Sequence, residues 1–209
     1  MDTREKILQT AANLFNQQGT ARVTTNHIAK EAGISPGNLY YHFQDKTHII
    51  REIYEQMLRD WEPAYVRVEE QAVSFVVLKK FIEENFQMLW RYRFFNREMV
   101  ALLRADPVLA ERHITVMRQR FQRQSGLVEK AVTDGVLGFP EAGPGLDDVL
   151  KIAWIVANHF LNYLEAMGQQ VAQKDFSAGA ELVMKVFTPY LTGNSGYPHP
   201  GIYGDSDEY

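Results

Sequence analysis

The chain has 209 residues, no cysteine and a formal net charge of −4, which is long enough to bury a core without staples and excludes disulfides, thiolate metal sites and thiol chemistry. The charge is uneven: residues 1–51 hold six Lys/Arg against four Asp/Glu, a balance of +2, leaving −6 for the remainder, which permits contact with nucleic acid without establishing it. No apolar run reaches the ~20 residues of a membrane span and the charged start MDTREKIL lacks a signal-peptide core, so the expectation is a cytoplasmic protein with no membrane partner.

Helical periodicity runs through the chain and no alternating strand interrupts it, so the expected fold class is all-α. Ile7, Leu8, Ala11, Leu14 and Phe15 share one face of a first helix, which Gly19 ends. After a loop with Arg22, Thr24 or Thr25 caps a short second helix with Ile28, Ala29 and Ala32 inward, and Gly33 terminates it. Residues 34–35 then make a tight turn. Ser35 caps a third helix over about 36–43, with Pro36 at the first position, where its missing N–H costs nothing. Two short helices joined by such a turn match a helix-turn-helix.

The segment GISPGNLYYHFQDK raises the question of what two adjacent tyrosines face. At ~100° per residue, with Leu39 at zero, Phe43 falls at about 40° and Pro36 at about 60°, while Gly37 and Tyr41 lie at about 160° and 200°. Leu39 and Phe43 are therefore the buried side, and a polar, aromatic surface is turned outward. DNA suits it: Gly37 allows close backbone approach, Asn38 offers hydrogen bonds to a base edge, and the tyrosine hydroxyls reach phosphates. Thr25, at the start of the second helix, and Lys46, just past the third, can hold phosphates. The competing reading is that Tyr40 and Tyr41 cover a neighbouring helix.

The stretch TTNHIAKEAGISPGNLYYHFQDKTHII resembles the DNA-binding segment of the tetracycline-repressor (TetR) family. Its approximate pattern, T-T-x-x-I-A-x-x-A-G-V-S-x-G-x-L-Y-x-H-F-x-x-K, is met in order by Thr24, Thr25, Ile28, Ala29, Ala32, Gly33, Ser35, Gly37, Leu39, Tyr40, His42, Phe43 and Lys46. The resemblance covers about a quarter of the chain. It implies DNA contacts from Thr25, Ser35, Pro36, Gly37, Asn38, Tyr40, Tyr41, His42 and Lys46, with Leu39 and Phe43 structural. Ile34 stands where Val is common. Pro36 replaces a frequent Lys or small polar residue and removes one contact, so no operator preference carries over.

Beyond Lys46 a longer helix carries Ile49, Ile50, Ile53, Tyr54, Met57, Leu58 and Trp61 and is expected to end before Pro63. In the family this helix transmits ligand-driven motion to the DNA-binding unit. A helix over about 74–90 has Phe75, Leu78, Ile82, Phe86 and Leu89 on one face and Val77, Phe81 and Met88 on another, so it is enclosed on two sides. Asn85 lies within the first apolar sector, where its amide needs a partner or a ligand group. Arg91, Arg93 and Arg97 follow among aromatics, either solvated or neutralising a ligand carboxylate.

Pro107 starts a helix through Met117, Phe121, Leu127, Val128 and Val132 to Gly135, and the stretch 138–145 is a break. Asp147 and Asp148 favour the next helix N-terminus, expected over about 146–168 with an apolar arc of about 200° that includes Trp154 and Val156. The last helix, about 175–191 and capped by Asp175, carries Phe176, Ala180, Val183, Phe187 and Tyr190. Such surplus apolar surface suggests a subunit interface, and the resemblance implies a homodimer through the last two helices.

These readings divide the chain into a helix-turn-helix domain (1–47), a helical effector-binding and dimerisation domain (48–192) and a flexible tail (193–209). The expected function is a sequence-specific transcriptional regulator with a double-stranded DNA operator as partner, a repressor released by a small amphipathic or aromatic effector. Asn85, Phe86, Trp90, Phe121 and Trp154 are the candidate effector contacts. A regulator or activator without a ligand is the first alternative. A helical-bundle enzyme is the second, and it lacks support: no histidine follows a glutamate by three residues, and there is no phosphate loop, zinc-spaced histidine pair or nucleophile elbow. No cofactor and no metal are expected.

Overall fold

The computed structural model describes residues 2–140 and 145–193. Among them are nine α-helices and no strand beyond one isolated bridge between Leu137 and Leu191. The expected tail lies outside the described residues, apart from its first position, as do residues 141–144 of the expected break.

α1 (Thr3–Gln18) buries Ile7, Leu8, Ala11, Leu14 and Phe15 and stops at Gly19, whose φ of +79° and ψ of 155° only glycine adopts readily. α2 (Thr25–Glu31) is capped by Thr24, whose hydroxyl accepts from the His27 N–H, so Thr25 is the first helical residue. Gly33, at φ +66°, turns the chain. In α3 (Pro36–His42) the Ser35 hydroxyl accepts from the Asn38 N–H at 3.1 Å. Leu39 and Phe43 are fully buried.

α4 (Lys46–Glu69) differs from the sequence expectation: it passes through Pro63 for two further turns. An interior proline costs about 3 kcal/mol. Tyr65 and Val68, both buried beyond it, offset that at about 1.5–3 kcal/mol each. At 24 residues the helix is ~36 Å long.

α5 (Phe75–Arg91), α6 (Arg93–Ala105), α7 (Pro107–Thr133), α8 (Leu146–Ala166) and α9 (Gln173–Phe187) complete the larger unit. Asp175 is a second correction. It occupies the third position of α9 rather than its cap, which is Ala172, and its carboxylate reaches back to accept from the Ala172 N–H at 3.0 Å. Nor does α9 run to 191: a 3-10 turn (Thr188–Tyr190) follows it, and the chain then pairs with the segment after α7 through Gly138 N–H to Tyr190 O and Thr192 N–H to Val136 O. α5, α8 and α9 meet closely at Gly179, where a Cβ would lie 2.3 Å from a Phe86 ring carbon and 2.5 Å from one of Phe160.

The N-terminal helices dock on α6 and its flanks through polar clamps. Buried Asn16 donates to Arg91 O and accepts from the Phe94 N–H, both at 2.9 Å. Glu98 accepts from the Thr20 N–H at 3.0 Å. Arg51 of α4 grips Asp106 with two 2.7 Å bonds, while Asp106 also caps α7. The Arg51 guanidinium holds the Asp106 carboxyl below its ordinary range. Deeper in, Tyr54 shares a 3.0 Å hydrogen bond with His113, and burial lowers the His113 pKa. No helix among the described residues is long and apolar enough to cross a membrane.

Candidate functional site

Two regions hold side chains that the fold does not consume. The first is the outer face of α3. Tyr41 is 84% exposed and covers no neighbouring helix, whereas Tyr40, 51% exposed, leans back toward the start of α2. The Tyr40 hydroxyl shares a 2.9 Å hydrogen bond with Thr25 Oγ1, and Tyr41 stands edge-on to His42. Ser35, Pro36, Gly37 and Asn38 are exposed beside them. A Cβ on Gly37 would meet nothing closer than Ser35 Oγ at 3.9 Å. No internal contact requires this glycine, which costs a helix about 0.5–1 kcal/mol relative to alanine. Its bareness is directed outward.

Lys46 is placed differently from its eight companions. Its ammonium donates to Thr20 O at 2.7 Å and Val23 O at 3.1 Å, tying the loop between α1 and α2 to the start of α4 and leaving one N–H for a phosphate.

The second region is a cavity of about 90 Å³ inside the larger unit, walled by α4, α5, α7, α8 and α9. Asn85, Phe86 and Trp154 line it. Trp90 and Phe121 do not: Trp90 packs on Phe176 beneath Arg93, and Phe121 stands behind Trp154 at 5.7 Å. The apolar walls include Leu78, Ile82, Ala153 and Val183.

Its polar lining comprises Trp61, Asn85, Arg120, Gln124 and Asn158. Asn85 donates to Phe81 O at 2.7 Å, which answers part of the question its apolar surroundings raise. Gln124 accepts from the Trp154 indole and donates to the Tyr65 hydroxyl at 2.8 Å. Asn158 donates to Trp154 O. Sequence reasoning missed Arg120 and Gln124, although a signal existed. On α7 both fall within the arc of Met117, Leu127, Val128 and Ala131, where a polar residue must find a partner or a ligand.

The arginines singled out earlier are engaged elsewhere. Arg91 pairs with Asp60 at 2.8 Å, Arg93 lies over the Trp90 ring, and Arg97 pairs with Glu165 and donates to Asn16 O. No group of three or more His, Cys, Asp or Glu is placed to hold a metal among the described residues.

An all-helical chain with a helix-turn-helix in a small N-terminal unit, set on a larger helical unit, has the architecture of helix-turn-helix transcriptional regulators. A family model described as bacterial regulatory proteins, tetR family, matches residues 7–53, and one described as bacterial transcriptional repressor matches 44–196. The chain belongs to the TetR family, whose members are transcriptional regulators that bind DNA operators and are not enzymes.

Among curated relatives, the regulator AcrR of Shigella flexneri is 44% identical over 54 residues, 26% of this chain and only 25% of that protein. The regulator UidR of Escherichia coli (strain K12) is 29% identical over 138 residues, 61% of this chain and 67% of that one. A TetR-family regulator from Marinobacter aquaeolei VT8 superposes with a TM-score of 0.82 at 31% identity, covering 92% of this chain and 93% of that one. SmeT, the repressor of a Stenotrophomonas maltophilia multidrug efflux pump, shares the fold with a TM-score of 0.68 at 20% identity over 95% of each chain.

Proposed function

We propose that this protein is a homodimeric repressor whose α3 enters the major groove of its operator and which a small amphipathic or aromatic effector releases. Residues 1–47 form the DNA-binding domain and 48–192 the effector-binding and dimerisation domain. Asn38, Gly37, Tyr41 and His42 face base edges. Thr25, Ser35, Pro36 and Tyr40, with the remaining N–H of Lys46, meet the backbone. Two copies associate through the exposed apolar face of α8, where Ile152, Ile155, Tyr163 and Met167 lie on one arc, and through Leu182 of α9.

One observation carries the effector reading. α4 starts at Lys46, directly after the recognition helix, and Trp61, ~22 Å further along it, forms part of the cavity wall. A ligand that displaces this wall acts on the helix that positions α3, and it releases DNA only as far as it prefers the mispositioned state. The small volume of the cavity favours one rival, a regulator without a ligand.

Titration of aromatic and acyl compounds separates the two. An effector should change tryptophan fluorescence, since Trp61 and Trp154 both line the cavity, and should weaken operator binding roughly 5- to 150-fold over the same concentration range. Asn85→Trp should block both effects while leaving operator affinity intact. If no compound uncouples the protein from DNA, the rival stands. For the dimer, Ile155→Glu should give a folded monomer by sedimentation; a monomeric wild type refutes the interface.

A further inference from the structure

We propose that the cavity receives an amphipathic monoanion, a carboxylate held by Arg120 and Trp61 with a slim apolar chain reaching inward between α5, α7, α8 and α9. This rests on the effector reading above and adds the charge and shape of the ligand.

The charge follows from what Arg120 lacks. Of the other arginines on α7, Arg112 pairs with Glu55 at 2.7 Å, Arg123 pairs with Glu62 at 2.9 Å and Glu69 at 2.8 Å, and Arg118 is exposed to solvent, whereas Arg120 is half-buried. Arg120 has no carboxylate in reach among the described residues. Its hydrogen-bond partners are the Tyr65 hydroxyl at 3.3 Å and the Asn85 amide oxygen at 3.5 Å, both neutral and both at the long end for such bonds. The guanidinium instead lies 4.1 Å over the Trp61 ring.

Trp61, whose ring belongs to the same wall, carries a second unmet donor. The Trp61 indole N–H is buried and finds no acceptor, a condition native proteins rarely tolerate. No Asp or Glu lines the cavity, and the side-chain oxygens of Asn85 and Gln124 already accept from Arg120 and Trp154. The lining thus keeps one side-chain acceptor, that of Asn158, and no anion to balance Arg120, whose charge meets only the faces of the Trp61 and Tyr65 rings. A neutral acceptor would satisfy the indole and leave the charge; a cationic ligand would meet repulsion. A carboxylate answers both groups at once.

Place and shape agree. Trp61 and Arg120 also line an outer groove of about 450 Å³ between α4 and α7, so the pair forms the partition between that groove and the interior. A carboxylate seated on the partition leaves its chain to enter the cavity, whose 90 Å³ is below the ~150 Å³ that accommodates benzene. A chain of octyl length therefore enters only as the wall formed by Trp61 and Arg120 yields toward the outer groove, and an unbranched chain demands less of that movement than a fused ring system.

Calorimetry on the full-length protein with octanoate, octanol and octylamine, each below its aggregation concentration, tests the inference. Octanoate should bind roughly 10- to 100-fold tighter than octanol, and octylamine should not bind. Arg120→Gln should bring the octanoate-to-octanol ratio near one, and Arg120→Lys should restore part of it. Trp61→Phe, which keeps the ring under the guanidinium and deletes the N–H, should weaken octanoate by roughly 5- to 10-fold. Far-UV circular dichroism checks that each variant folds.

Equal affinity for octanoate and octanol, or a preference for octanoate that survives Arg120→Gln, overturns the inference. If both probes bind alike and both release operator DNA, the effector cavity stands and the anion assignment falls. If octanoate binds with the Arg120 dependence and never releases DNA, the anion assignment stands and the effector reading falls. Absence of binding by all three probes removes the anion assignment and leaves the effector reading to the wider titration of aromatic compounds.

Discussion

The recognition surface and the interior cavity are both left over from folding, and they differ in where the remainder lies. In the three-helix unit the starts of α2 and α3 are served locally, by the side chains of Thr24 and Ser35, each of which accepts a backbone N–H, as that of Asp45 does where α4 begins. The side chains without an internal task, Asn38 and Tyr41 among them, face solvent. In the larger unit some face outward on the apolar face of α8, and others, Arg120 and the Trp61 ring, stand at the cavity wall. Unspent donors on an outer helix face suit a macromolecule that arrives from outside. Unspent donors around a void suit a molecule small enough to be enclosed. The two glycines make the same contrast: Gly37 has open space around it, and Gly179 has none.

The sharpest test of that contrast is Gly179→Ala. The added methyl meets two rings and should cost about 1–3 kcal/mol or more through overpacking, read as a lower denaturation midpoint. An unchanged midpoint would mean that the α5–α9 contact is looser than described. Lys46→Ala comes next, because this residue belongs to both sides of the comparison. Loss of its bonds to Thr20 and Val23 should cost about 1–3 kcal/mol of stability and weaken operator and random DNA alike. If thermal denaturation is unaffected, the ammonium serves DNA alone.

Arg51 and Asp106 tie the first turns of α4, next to the three-helix unit, to the start of α7, and their pairing should appear as a pH effect. The folded state holds the Asp106 carboxyl below its ordinary value, so it binds fewer protons there than the unfolded chain does. The stability this contributes is fully present above the unfolded pKa of about 4 and is lost as pH falls through the folded value. Asp106→Asn should therefore lower stability more at pH 7 than at pH 3; an equal loss at both would exclude the ion pair as its source.

The smallest stability changes belong to the outer face. Gly37→Ala should stabilise the helix by about 0.5–1 kcal/mol, and Tyr41→Ala should change stability by less than about 0.5 kcal/mol, yet both should weaken operator binding in fluorescence anisotropy. If both bind the operator as the wild type does, α3 is not the recognition element.

The recognition region was legible in the sequence because its information is contiguous. Caps, turn and buried pair all fall within twenty-three residues from Thr24 to Lys46, and helix geometry alone separates Leu39 and Phe43 from Tyr41. The cavity was only half legible, since five helices contribute to it and periodicity says that a ring is buried without saying against what. Trp90 and Phe121 are half-buried and pack on other rings, Phe176 and Trp154, whereas Phe86 and Trp154 reach the void. Pro63 misled for a related reason: local propensity favours a stop there, and the gain that overrides it comes from residues packed against Tyr65, such as Phe81 on a different helix.

Gly179 also bears on how the interior can yield. Phe86 faces both this glycine and the void, so the α5–α9 seam already stands at its closest approach and works as a fixed abutment. Any swelling of the cavity is resisted there and must be taken up by another wall. The α4–α7 side has the outer groove behind it, and Trp61 and Arg120 can be displaced into that space. A single missing methyl group thus gives the strain a direction, toward the helix that ends at the recognition surface.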